Sequence, residues 1–192
     1  MKSTKSRKSI RLQGFDYAQN GWYFITICIK GFEELLGKIS NDGIFIPNET
    51  GKIVEETWLL TSQIRPTVEL DIYQIMPNHF HGIVVIGSKN SPPLIQRFPD
   101  THNPPSKFQS PKKTIGAIVR GFKGASTKLI RQNITRNFEE KIWQRNYYER
   151  IIRDEAELNR IRNYIANNPK RWQEDKEFFK KLLDKMAKGS GE

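Results

Sequence analysis

An α+β domain with an antiparallel sheet is what this sequence predicts, and three observations predict it. Two β-prone runs, residues 70–76 and 80–86, are separated only by a short link at Pro77-Asn78, so antiparallel pairing is the one arrangement open to them. A third run, 22–29, is apolar and β-branched without clean alternation, as expected of a central strand covered on both faces. Other segments repeat their apolar residues at helical spacing. The 192 residues suffice for one well-buried domain and do not require two.

Residues 1–15 carry Lys2, Lys5, Arg7, Lys8 and Arg11 with no acid before Asp16, and read as a flexible basic arm: a phosphate contact or simply a solvated tail. In the strand that follows, Cys28 is the only cysteine; it has no partner for an internal disulfide and reads as a small core residue. Within 37–47, Asn41-Asp42-Gly43 signals a tight turn between two short β-prone pieces. Asn48 or Thr50 then caps a helix whose apolar stripe is Ile53, Val54, Trp58, Leu59 and Ile64, ending before Pro66. After the strand pair, residues 88–113 hold six of the ten prolines and little periodicity, which predicts a long loop in which His102 is exposed and silent.

Residues 111–137 contain seven Lys or Arg and no Asp or Glu. On a helical wheel Ile115, Ile118, Phe122 and Leu129 fall on one side and Lys113, Arg120, Lys123 and Arg131 on the other, which predicts a core-packed helix with an outer face for phosphate. Gly116, Gly121 and Gly124 either admit a nucleic-acid backbone closely or mark a break. Residues 141–152 read as another strand and its exit. Asp154 with Glu157 forms a capping box; Leu158, Ile161 and Ile165 define the buried side of a helix that Pro169 stops. The remainder, 173–192, reads as an amphipathic helix and a Gly-Ser-Gly tail.

The balance of 32 Lys+Arg against 21 Asp+Glu, a net charge of +11, favours a polyanionic partner, nucleic acid before a membrane surface. No apolar run reaches the ~20 residues of a membrane span, so the expectation is a soluble cytoplasmic protein associated with the nucleoid.

Chemistry concentrates at His79-Phe80-His81. Alternation in a strand places both imidazoles on one face, roughly 6.5–7 Å apart along the backbone, where they can converge on one divalent ion; two polar residues at a strand end is the plainer reading. Tyr164 and Asn168, four apart, share a helix flank. Taken alone they are a half-buried aromatic and a helix terminator. An ion held by His79, His81 and the Asn168 amide would sit one turn from the Tyr164 hydroxyl and could polarise a phosphate for attack by the phenol, with Mg²⁺ or Mn²⁺ suited to such mixed ligands. A phenol with a pKa near 10 leaves a phosphotyrosine close in energy to the phosphodiester consumed, which suits strand transfer better than degradation.

The stretches Met76-Pro77-Asn78-His79-Phe80-His81-Gly82, Ile142-Trp143-Gln144-Arg145-Asn146-Tyr147-Tyr148 and Tyr164-Ile165-Ala166-Asn167-Asn168-Pro169 together resemble the REP-associated tyrosine transposases. These form part of the single-tyrosine branch of the HUH endonucleases and are relatives of the IS200/IS605 transposases. The resemblance covers about residues 14–172. It implies a ferredoxin-like sandwich, a catalytic domain at 16–172 with a Pro-rich loop at 88–111, and a divalent-metal-dependent single-strand DNA endonuclease and strand transferase. Its substrate would be hairpin-forming DNA, cut through a 5′-phosphotyrosine. By the same resemblance His79 and His81 are the metal pair, Tyr164 the nucleophile, and Asn168 the third ligand where IS200/IS605 relatives carry Gln. The sequence departs from the pattern at Arg150, where many relatives have His, and in the length of 88–111. Tyr147 and Tyr148 are rival nucleophiles. The alternative to an enzyme is a non-catalytic, domesticated binder of structured nucleic acid; a replication-initiating nickase would bring paired tyrosines on the catalytic helix and a helicase domain. Monomer and homodimer both stay open.

Overall fold

An eight-residue run in which every side chain is buried, His79–Ile86, is the strand around which the sheet is built. The computed structural model describes residues 20–87, 114–134 and 141–172; the expected basic arm, the 88–111 loop and the 173–192 tail lie outside the described residues. The elements are β1 (Gly21–Cys28), a small hairpin of β2 (Gly37–Ile39) and β3 (Phe45–Pro47), α1 (Glu49–Gln63), β4 (Val68–Met76), β5 (His79–Ile86), α2 (Ile115–Asn133), β6 (Tyr148–Ile152) and α3 (Glu155–Asn167). Short 3₁₀ turns occupy Lys30–Phe32 and Pro169–Arg171.

The main sheet has the order β4-β5-β1-β6, and each neighbouring pair is antiparallel. Leaving out the β2–β3 hairpin, the chain runs β1-α1-β4-β5-α2-β6, the βαββαβ arrangement of a ferredoxin-like sandwich. Strand parity sorts the core into two layers. Tyr23, Ile25, Ile27, Phe80, Val84 and Ile86 pack with Val54 and Trp58 of α1 and Ile115, Ile118 and Phe122 of α2. Trp22, Phe24, Ile83, Val85 and Ile152 pack with Leu158 and Ile165 of α3. His79 and His81 are in phase with Ile83 and Val85, so they lie on the α3 side of the sheet.

Close packing explains Gly82 between them and the core: a Cβ there would lie 3.0 Å from the Trp58 ring and 2.9 Å from Phe80. Caps fall where the sequence puts them. Asn48 Oδ1 accepts from Gly51 N at 2.9 Å, and Asp154 Oδ1 accepts from Glu157 N at 2.7 Å while Glu157 Oε2 accepts from Arg153 N at 3.0 Å.

Several elements differ from expectation. β4 changes register between Leu70 and Tyr73. This bulge flips side-chain parity, so Val68 and Leu70 before it and Tyr73 and Ile75 after it all join the α1/α2 layer. Asp71 holds the bulge by accepting from Ile72 N at 2.6 Å and pairing with Arg162 of α3. The predicted strand over 141–152 is a strand only from Tyr148 onward; Ile142 and Trp143 enter the core from irregular chain, touching the sheet through the single bridge Ile29–Trp143. On α1 the buried face runs Thr50, Val54, Thr57, Trp58 and Thr61, and Leu59 and Ile64 face solvent. No helix among the described residues is long and apolar enough to cross a membrane.

Candidate active site

The turn that starts β5 fixes where the histidines point. Pro77 O accepts from Leu36 N and Asn78 O from Ile29 N, both at 2.9 Å, and Asn78 Nδ2 donates to Phe32 O at 3.2 Å. Asn78 Oδ1 faces His79 Nδ1 at 2.7 Å. An amide oxygen only accepts, so Nδ1 carries the proton and Nε2 presents its lone pair. Across the sheet, Thr26 pairs with His81 in register and its Oγ1 lies 2.9 Å from His81 Nδ1. With the far nitrogen of each ring held this way, the two Nε2 atoms meet at 3.0 Å.

Both rings are buried, and burial drives their proton affinities down: His79 to about 3, with Asn168 opposing the drop, and His81 well below its usual value, with the charge of His79 adding to the effect. The imidazoles are therefore neutral at ordinary pH, as ligands must be.

Helix α3 supplies the other half. Leu158 and Ile165 anchor it on the sheet, which places Tyr164 over the histidines. The Tyr164 hydroxyl lies 3.4 Å from His81 Nε2, and its ring stands edge-on to His81 and Phe24, with centroids 5.2 and 6.1 Å away. Tyr164 is 39% exposed, so solvent reaches it. One turn on, Asn168 caps α3 and is wholly buried; neither its Oδ1 nor its Nδ2 has a hydrogen-bond partner, although it stands near enough to His79 to act on its proton affinity. The buried Trp172 lies against His79, ring centroids 6.2 Å apart.

These observations fit a divalent ion. Two nitrogens each about 2.1 Å from one ion, at a right angle, would stand about 3.0 Å apart, the spacing found between the Nε2 atoms. The orphaned amide of Asn168 offers an oxygen, and Asn78 and Thr26 hold the outer ring nitrogens in the way that partners of ligating histidines do. Among the described residues no three His, Cys, Asp or Glu gather at any point, so the protein donors here are all neutral.

Other residues singled out in the sequence fall elsewhere. Tyr147 lies in the α1/α2 layer, donating to Glu149 Oε2 at 2.6 Å. Tyr148 is on the histidine face and 41% exposed, with its ring 6.1 Å from Phe24. Arg150 pairs with the buried Glu157 at 2.5 Å. Arg120 and Arg131 are exposed on α2, in the layer opposite the histidines. Lys123 on the same helix turns inward, its Nζ donating to Gln144 O at 2.8 Å and Asn146 O at 3.1 Å. Lys113, Arg7 and Arg11 lie outside the described residues. Sequence reasoning missed Thr26, Asn78 as an orienting group, and Trp172; the one signal for Thr26 was an aliphatic hydroxyl in the apolar run 22–29.

Comparison with known proteins bears on the same elements. An uncharacterized protein of Haemophilus influenzae is 42% identical over 176 residues, 88% of this chain and 91% of that one. A solved REP-associated tyrosine transposase bound to a REP hairpin matches with a TM-score of 0.55 over 85% of this chain and 73% of that one; at 17% identity the likeness shows the fold. The family model of the IS200-like transposases matches residues 108–168, the stretch that runs through α2 and β6 to Tyr164 and Asn168. Over residues 108–168, about a third of the chain, this protein is similar to the IS200-like transposases, and its fold is similar to that of the solved REP-associated tyrosine transposase.

Proposed function

We propose that this protein is a transposase-like, metal-dependent endonuclease and strand transferase for single-stranded, hairpin-forming DNA, working through a 5′-phosphotyrosine on Tyr164. The observation that carries the reading is the convergence of two neutral imidazoles, an unpartnered buried amide and an accessible phenol at one point of the fold.

His79, His81 and Asn168 would hold a divalent ion such as Mg²⁺ or Mn²⁺, which when bound polarises a phosphate oxygen and neutralises charge at the reacting phosphorus. A site of neutral donors binds such an ion more tightly when DNA phosphate adds negative charge, so ion and substrate assist one another. Phe24 and His81 fix the ring of Tyr164 edge-on, so its hydroxyl is placed with little rotational freedom left. In the step, Tyr164 Oη forms the bond to phosphorus as the bond to the 3′-oxygen breaks, the phenolic proton passes to water at the exposed side of the ring, and water returns a proton to the leaving 3′-oxygen to give a 3′-hydroxyl. A second 3′-hydroxyl reverses the exchange and joins a new pair of ends. The exposed arginines of α2 and the net charge of +11 supply general attraction for the DNA backbone.

The test is covalent capture on a hairpin oligonucleotide. Tyr164→Phe should abolish the protein–DNA adduct and leave hairpin affinity within about twofold, since the lost hydroxyl acts in the reaction rather than in binding. Adduct formation that survives in Tyr164→Phe and disappears in Tyr148→Phe would overturn the assignment. Binding without any cleavage at millimolar Mg²⁺ or Mn²⁺ would leave a non-catalytic binder.

A further inference from the structure

Next to the histidines the sheet ends at the outer edge of β4. Between that edge and the β2–β3 hairpin lies a groove of about 460 Å³ lined by Ile44, Phe45, Glu55, Tyr73, Gln74 and Pro169. We propose that this groove takes one unpaired nucleobase flanking the phosphate at Tyr164, and that Glu55 selects a base bearing an exocyclic amine. The inference rests on the function proposed above and adds a specificity site to it.

Position is the first argument. Gln74 is the register partner of His81 and Ile75 that of Phe80, while Pro169 directly follows Asn168. Register partners in an antiparallel pair are only about 4.5–5.5 Å apart, so the Gln74 and Pro169 side of the groove adjoins the histidines, while Tyr73 and Glu55 line it from the α1 side of the sheet, and a base that reaches Glu55 passes around the β4 edge.

The lining is the second. Ile44, Phe45 and Pro169 give apolar and aromatic walls for a flat ring, and the volume falls in the range of small-molecule sites. Glu55 is fixed at the wall because Tyr73 Oη donates to its Oε1 at 2.9 Å. Burial and that carboxylate push the Tyr73 hydroxyl up to about 12, so it remains a donor under all working conditions. The edge strand adds main-chain groups: Ile75 O, accepting from Gln74 Nε2 at 2.8 Å, faces outward.

Charge is the third. A carboxylate repels phosphate, which keeps the DNA backbone out of the groove, and accepts N–H bonds; adenine, cytosine and guanine offer it an exocyclic amine with two N–H groups, where an unpaired thymine offers only its ring N3–H. The exposed Lys170 packs against Gly43 at the hairpin tip and leaves a cation at the rim for the backbone.

The experiment uses the full chain and a DNA hairpin with four-nucleotide single-stranded flanks, in which each flank position in turn is made abasic or thymine. Affinity is read by fluorescence anisotropy in chelator and adduct yield with Mg²⁺. One flank position should show a loss on the order of tenfold for both substitutions, the scale of one good base-edge contact. Glu55→Gln should erase most of the thymine discrimination at that position alone. Ile44→Trp, at a residue 62% exposed and outside the core, should block the groove and make wild-type DNA behave as abasic. Equal tolerance at every flank position in the unmodified protein would overturn the proposal, as would full discrimination retained by both variants, and in either case Tyr164-dependent cleavage would leave the site's function standing. Failure to bind any hairpin would overturn both.

Discussion

His79 Nε2 and His81 Nε2 face each other at 3.0 Å, while the outer nitrogens are engaged by Asn78 and Thr26. Two ring nitrogens at that separation need one proton or one cation between them. Since His79 Nδ1 donates to Asn78, His79 Nε2 is bare, and without an ion His81 carries its proton on Nε2 and accepts from the Thr26 hydroxyl. On the function proposed above, an ion would take the place of that proton, and His81 Nδ1 would then donate to Thr26 instead.

Stability in chelator should therefore depend on pH. Both folded-state affinities are lowered, His79 from 6.5 to about 3, so below pH 6.5 the unfolded chain takes up protons that the folded rings refuse. The sign is a loss of stability as pH falls from 6.5 toward 3, at a limiting slope of about 1.4 kcal/mol per pH unit for each ring. Urea denaturation at pH 7.5, 6 and 5 reads this directly. His79→Gln should flatten the profile, and a wild-type profile already as flat as that of the variant would show that the rings are not held neutral.

Asn168 gives a prediction in which stability and activity move apart. Both of its amide atoms are buried without partners, a cost of about 1–3 kcal/mol for an unsatisfied group. Asn168→Leu, similar in size, should leave the metal-free protein unchanged or more stable by about 1 kcal/mol and should remove Mg²⁺-supported cleavage. A large destabilisation in chelator would mean that the amide serves the fold rather than an ion.

Thr26→Val keeps the shape of the strand and removes only the hydroxyl against His81 Nδ1. Losing an outer-ring partner of a ligating histidine costs about 10–100-fold in metal affinity or activity, so the Mn²⁺ concentration for half-maximal cleavage should rise by that order. Saturating Mn²⁺ should restore much of the rate. An unchanged metal requirement would place Thr26 among ordinary core contacts.

Much of this arrangement was legible in the sequence because it depends on local periods. Alternation along 79–86 put His79 and His81 on one face, helical spacing put Tyr164 and Asn168 one turn apart, and Asn48 and Asp154 marked two helix starts. What could not be read needs partners far along the chain. The β4 bulge is held by Asp71 through Arg162, 91 positions away. Residues 141–147 look like a strand because Ile142 and Trp143 are apolar, yet they are buried singly, with Trp143 Nε1 donating to Ser126 Oγ at 3.0 Å. A helical wheel likewise groups Lys123 with the outer basic residues, because it cannot show the carbonyls at Gln144 and Asn146 that draw its ammonium inward.

That last difference is testable by salt dependence. Each phosphate contact contributes about 0.7–0.9 to the slope of log affinity against log salt. Arg120 and Arg131 are exposed on α2, and Arg120→Ala and Arg131→Ala should each lower the slope for hairpin DNA by roughly that amount, with a smaller loss of thermal stability than Lys123→Ala. Lys123 should behave in the opposite way. Burial pulls its ammonium down to about 8, the nearby Cys28 thiol opposing this, and the group bonds two main-chain carbonyls. Lys123→Ala should therefore keep the salt slope and lose about 1–2 kcal/mol of stability through the freed carbonyls. If Lys123→Ala instead lowers the slope like the arginine variants and leaves the melting curve in place, Lys123 turns outward to meet DNA and the loop at 144–146 is held by other contacts.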